Sequence, residues 1–99
     1  MFEFYKELEP KFENKKSYYH KAIVEKEQNA NNYLLTSYNT VVCSVIDNTI
    51  YLYNLHMHTQ TTKRHIVEFL KQFWAEQVDF KYYHTLRKEA LQEYLATLQ

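Results

Sequence analysis

The chain has 99 residues, which is enough for one domain with a single modest core. Acidic and basic residues balance at 12 each, so no overall field draws the protein toward nucleic acid or an anionic membrane. No apolar run approaches ~18 residues, and the first residues lack the basic and apolar regions of a signal peptide. We therefore expect a cytoplasmic protein with no membrane span.

The first 16 residues form a predicted N-terminal arm. Phe4, Tyr5 and Leu8 recur at helical spacing and Pro10 stops the pattern, which predicts a short helix over residues 1–9. A charged connector with several lysines follows and predicts a solvated surface.

Residues 17–60 predict a four-stranded antiparallel meander, with strands at Tyr18–Glu27, Tyr33–Tyr38, Val41–Asp47 and Ile50–Met57. A helix is the alternative secondary structure for the first of these segments, because Lys and Glu are good helix formers. The chain has no glycine, and asparagine is the next residue to tolerate a positive φ, so five asparagines are expected in turns: Asn29, Asn31, Asn32, Asn39 and Asn48.

Residues 61–99 predict two helices packed on one face of the sheet. Thr61 and Thr62 are N-cap candidates for a helix through Gln77, whose apolar stripe includes Phe69 and Leu70. Asp79 is positioned to cap the second helix. The predicted fold is a single α+β domain over residues 1–99.

Three segments together resemble a known family. They are the strand SYYHKAIV from Ser17, the segment SYNTVV from Ser37, and the helix TTKRHIVEFLKQ from Thr61. The family pattern reads "SFY.KA.V", "SY.T.V" and "TT.RH..EFL.Q". With these segments the chain resembles a family of small domains encoded by phages, prophages and other mobile elements. The resemblance covers roughly residues 12–73. The resemblance implies the fold and a mobile-element context, and it implies no activity.

Arg64 and His65 are a candidate binding pair in the first turn of the first helix. The free backbone N–H groups at the N-terminus of the helix, together with the Arg64 side chain, would bind an anion. The alternative is structural, with both side chains bonded to the carbonyls of the Ser37–Thr40 turn.

His56 and His58 are the residues that a zinc site would use, since they share one face of an extended segment. We expect no zinc and no other cofactor, because the single cysteine has no partner and the family pattern lacks this histidine pair. Cys43 lies among valines, which predicts an inert buried thiol. No catalytic motif is present, so we expect a protein that is not an enzyme.

Ten tyrosines are the remaining signal, because tyrosine is common at protein-binding surfaces. The candidates for such a surface are Tyr51 with Tyr53, or Tyr82 with Tyr83; the alternative is that they are half-buried core residues with their hydroxyl groups in water. The leading hypothesis is a small phage or mobile-element protein that binds a host protein, for example a CRISPR effector or another defence component. The alternatives are a nucleic-acid-binding accessory protein, using Lys15, Lys16, Lys63, Arg64 and Lys71, and a small metal-dependent enzyme. The oligomeric state stays open.

Overall fold

The computed structural model describes residues 1–98 and contains a five-stranded antiparallel sheet followed by two helices. The strands follow one another in space in chain order. Their bounds are β1 Phe2–Glu7, β2 Ala22–Glu27, β3 Tyr33–Ser37, β4 Thr40–Ile46 and β5 Thr49–Leu52. A 3-10 turn, Leu55–Met57, leads to helix α1 Gln60–Phe73 and helix α2 Phe80–Thr97. The α+β class with strands before helices is thus confirmed.

The N-terminal arm is a strand, so the predicted helix over residues 1–9 and the count of four strands are wrong. β1 pairs with β2, and Phe4 lies opposite Glu25. The helical spacing of residues 4, 5 and 8 is a local signal. Pairing with β2 outweighs it, because without β1 the edge of β2 would be unpaired. The strand ends where Leu8, itself buried, donates its N–H to the carbonyl of Ala22.

Two hairpins turn without glycine, as the asparagine content predicts. Tyr38 and Asn39 join β3 to β4, and Asp47 and Asn48 join β4 to β5. All four have positive φ, which a two-residue turn of type I′ requires. Asn29 also has positive φ, whereas Asn31 and Asn32 do not.

The helices begin and end at slightly different residues from those predicted. The N-cap of α1 is Thr59, whose side chain accepts the N–H of Thr62, so Thr61 and Thr62 lie inside the helix. Asp79 caps α2 as predicted, by accepting the N–H of Tyr82. The first predicted strand is shortened to Ala22–Glu27, because Tyr19 and His20 have positive φ and turn the chain before it.

The core lies between the helices and one face of the sheet. Val24, Leu35 and Cys43 are cross-strand neighbours with no exposed surface, and Leu52 continues the row on β5. The helices close over this row with buried apolar side chains, namely Ile66, Phe69 and Leu70 of α1 and Tyr83 of α2. None of the helices in residues 1–98 is long and apolar enough to cross a membrane.

Candidate functional site

The face of the sheet that points away from the core carries a row of side chains across all five strands. Directly opposed residues of antiparallel strands share a face. The register therefore aligns one residue from each strand, in the order Phe4, Glu25, Leu34, Ser44 and Tyr51. We call this row, with Ile23 and Tyr53, the open face. It spans about 19 Å from β1 to β5, at ~4.8 Å between strands.

Aromatic side chains stand at both ends of the open face. Phe4 is 67% exposed and Tyr51 is 46% exposed, which is high for residues of their size. Between them, Leu34 and Glu25 are half-buried. Glu25 is the only charged side chain in the row, so the open face is mainly apolar with aromatic ends, as protein-binding surfaces often are.

Tyr53 lies at the margin of the open face and is held there by a hydrogen bond. Its hydroxyl lies 2.7 Å from the Ser44 hydroxyl, so the buried Ser44 side chain has a partner. The Tyr53 side chain is half-buried. The structure therefore brings the predicted residues Tyr51 and Tyr53 to the same face.

Tyr82 and Tyr83 do not belong to this surface, and the prediction that they form a binding surface with each other is wrong for Tyr83. Tyr83 is fully buried, because its position on α2 faces the sheet and α1. Burial raises the pKa of its hydroxyl to about 12. Tyr82 is half-buried and stacks on Trp74, with ring centroids 5.6 Å apart.

His58 is a buried structural residue, whereas His56 is exposed. The Nε2 of His58 lies 2.8 Å from the Tyr53 carbonyl, and its Nδ1 lies 2.8 Å from the Tyr83 hydroxyl. A carbonyl only accepts, so Nε2 carries the proton and Nδ1 accepts from Tyr83. Burial lowers the pKa of this imidazole.

The metal candidates His56 and His58 are therefore not brought together as a ligand pair. Both ring nitrogens of His58 are already bonded within the protein. Within residues 1–98, no group of three or more His, Cys, Asp or Glu side chains is arranged to hold a metal ion. Cys43 is buried, and burial raises the pKa of its thiol well above the usual range, which disfavours the thiolate.

Arg64 and His65 point to different surroundings and do not form one site. Arg64 is exposed, whereas His65 is buried and its Nδ1 lies 2.8 Å from the Ser37 hydroxyl. That hydroxyl also lies 3.0 Å from the Thr62 hydroxyl. His65 thus fixes α1 on β3 through the Ser37 side chain, not through the turn carbonyls that the structural alternative named.

Glu68 and Gln72 of α1 have structural roles that were not predicted from the sequence. The Glu68 carboxylate is buried and accepts the backbone N–H groups of Lys11 and Phe12 at 3.1 and 3.0 Å. Gln72 donates to Glu68 at 2.6 Å and to the Glu9 carbonyl at 2.7 Å. The sequence contained a signal for the structural role of Glu68: this glutamate lies one helical turn after His65, within the apolar stripe of α1.

Removing the Glu68 carboxylate should therefore loosen the connector between β1 and β2. In Glu68→Ala, two backbone N–H groups lose their acceptor, and we expect the free energy of unfolding to fall by about 2 kcal/mol. Urea unfolding measures the change. Glu89→Ala is the matched control, because Glu89 is exposed on α2 and should change stability by less than about 0.5 kcal/mol. Equal stability of the two variants would contradict this role of Glu68.

These features define the class of protein: a small α+β domain in which an antiparallel meander is covered by two helices on one face and open on the other. The chain belongs to DUF8033, a family of unknown function whose model matches residues 6–85. No curated protein and no solved structure matched the chain.

Proposed function

We propose that this protein is a small phage or mobile-element accessory protein, not an enzyme, that binds a host protein through the open face. The observation that supports this is the pair of exposed aromatic side chains, Phe4 and Tyr51, at the two ends of one continuous row. Aromatic side chains with partly exposed apolar neighbours are typical anchors of protein contacts.

The buried polar residues support a binding role over a catalytic one. His58 and His65 are bonded within the fold, and Cys43 is a protonated core thiol. These three side chains, which could otherwise act in catalysis, thus have structural roles in the core. The open face is then the surface that we propose for recognition.

The proposed target is a component of a bacterial defence system, in the manner of an anti-CRISPR protein, and the proposed location is the cytoplasm of the bacterial host. This part of the proposal rests on the small size and on the resemblance of the three sequence segments to domains of mobile elements.

A nucleic-acid-binding role is the second candidate, and one observation favours it. On the helix side of the β1 edge, lysine ammonium groups lie over aromatic rings: Lys26 is 5.8 Å from the Tyr5 ring centroid and Lys71 is 5.9 Å from that of Phe12. Lysines beside aromatic rings are found in single-strand binding grooves. Metal-dependent catalysis, the third hypothesis, has no such support in the described residues.

The test of the leading proposal compares tyrosine variants with lysine variants. Immobilised wild-type protein is used to isolate a partner from host lysate, and the affinity of the purified partner is then measured. Tyr51→Ala should weaken binding by at least ~2 kcal/mol, roughly thirtyfold, because it removes an exposed aromatic anchor that the partner would cover. Tyr19→Ala is the control, since Tyr19 is 72% exposed but lies in the turn before β2.

Salt dependence separates the two candidate functions. The double variant Lys15→Ala/Lys16→Ala should alter mainly the association rate of a protein partner. Nucleic-acid binding, in contrast, falls steeply with salt. Full binding by Tyr51→Ala and Phe4→Ala, together with a salt-dependent loss in the lysine variant, would reject the leading proposal.

A further inference from the structure

The second half of α2 carries an apolar stripe that the fold does not cover. Every residue from Leu91 to Leu98 is exposed, whereas Leu86, more than one turn earlier, packs against the core and Ala90, directly before Leu91, is half-buried. The stripe consists of Leu91, Tyr94, Leu95 and Leu98, with exposed fractions of 41, 58, 50 and 66%.

The spacing of the stripe is that of a helix–helix contact. Its positions follow the i, i+3, i+4, i+7 pattern, which places all four side chains on one side of the helix. The stripe also lies beyond residue 85, outside the part of the chain that the family model matches. None of its four side chains belongs to the buried core.

We propose that α2 pairs with α2 of a second copy of this chain, antiparallel, about an axis near Tyr94 and Leu95. In this arrangement Leu91 of each copy lies beside Leu98 of the other. Phe4 lies on β1, at the opposite edge of the sheet from β5, which α2 contacts, so this end of the open face stays accessible in the pair.

The apolar area suits a dimer contact. At about 200 Å² for a fully exposed large apolar side chain, the stripe exposes on the order of 400 Å² per copy. Typical stable interfaces bury about 800 Å² per partner, including a polar rim. A groove of about 550 Å³ borders the stripe and is lined by Leu52, Leu55, Ala90, Leu91 and Tyr94, with Asn54 and His56 as its polar residues. Leu98 of the second copy would enter this groove and add buried area.

Charge favours the antiparallel arrangement. The last turn of α2 contains no basic side chain to balance the negative end of the helix dipole. Lys88 is exposed one turn before the stripe, so in the antiparallel pair it lies near that helix end of the other copy. A parallel pair would instead place the two carbonyl ends together. The net formal charge of zero removes overall repulsion between copies.

Sedimentation of the full chain tests the dimer. At about 100 µM the wild-type protein should sediment with twice the chain mass and dissociate on dilution. Leu95→Glu should be monomeric at every concentration, because it places a charge near the axis. Phe4→Glu, a matched change on the exposed open face, should remain dimeric. A monomeric wild type, or dissociation by Phe4→Glu instead of Leu95→Glu, would overturn the proposal.

Disulfide cross-linking tests the direction of the pair and does not depend on a destabilising change. The only native cysteine, Cys43, is buried. A mixture of Leu91→Cys and Leu98→Cys chains should form the mixed disulfide on mild oxidation, whereas Leu98→Cys alone should not cross-link. Efficient cross-linking of Leu98→Cys alone would show a parallel pair and contradict the proposed arrangement. Circular dichroism confirms that each variant is folded.

Discussion

Replacing Phe69 by alanine should lower the free energy of unfolding by about 3–5 kcal/mol, because it removes a large side chain from the middle of the core. Phe69 is fully buried on α1, and its ring centroid lies 5.4 Å from that of Phe73. The cavity would lie between the helix and the sheet, where the surrounding side chains come from separate elements and relax only partly. Chemical denaturation at neutral pH measures the loss.

Phe4→Ala is the matched control for this prediction. The same atoms are removed, but Phe4 is 67% exposed on β1, so the change should cost less than about 1 kcal/mol. An unchanged thermal midpoint in Phe69→Ala would show that the helix does not pack on the sheet in this register.

Acid should destabilise the fold between about pH 6.5 and pH 4 through His65. Burial lowers the pKa of this imidazole to about 4, and the nearby positive charge of Lys15 adds to the effect. The ordinary pKa of histidine is about 6.5, so between these values the unfolded chain binds a proton that the folded chain does not. The stabilising contribution is complete above pH 6.5 and is lost as the pH falls, by about 3 kcal/mol at pH 4.

The surroundings of His65 explain why it resists protonation. The ring of Tyr18 lies 4.5 Å from the imidazole, centroid to centroid, and the ring of Tyr38 stacks on it at 5.9 Å. Tyr18 also bonds to Glu13, and burial together with this carboxylate raises the pKa of its hydroxyl beyond the usual range. Tyr18 therefore provides no negative charge near His65 at these pH values.

The measurement is the free energy of unfolding against pH for wild type, His65→Gln and His84→Gln. His65→Gln should begin less stable at pH 7 and show a flatter slope between pH 6.5 and pH 4. His84 is exposed on α2, so His84→Gln should keep the wild-type slope. Identical slopes in all three proteins would refute the assignment, whatever the absolute stabilities.

The sequence by itself determined the features that depend on neighbouring residues. The α+β class, the Asp47–Asn48 turn, the Asp79 cap and the burial of Phe69 and Cys43 all follow from local patterns of polarity and turn chemistry, and the structure agrees. These signals are local because caps and two-residue turns are satisfied within a few residues.

The tertiary structure decided whatever depended on partners distant in the chain. Residues 2–7 are a strand because β2 supplies an edge with which to pair, although their own spacing favoured a helix. Tyr83 and His58 are buried because α2 folds back over the 3-10 turn and brings them within 2.8 Å, across 25 residues. Phe4 joins Tyr51 on the open face only through the registers of four strand pairings, which no local pattern specifies.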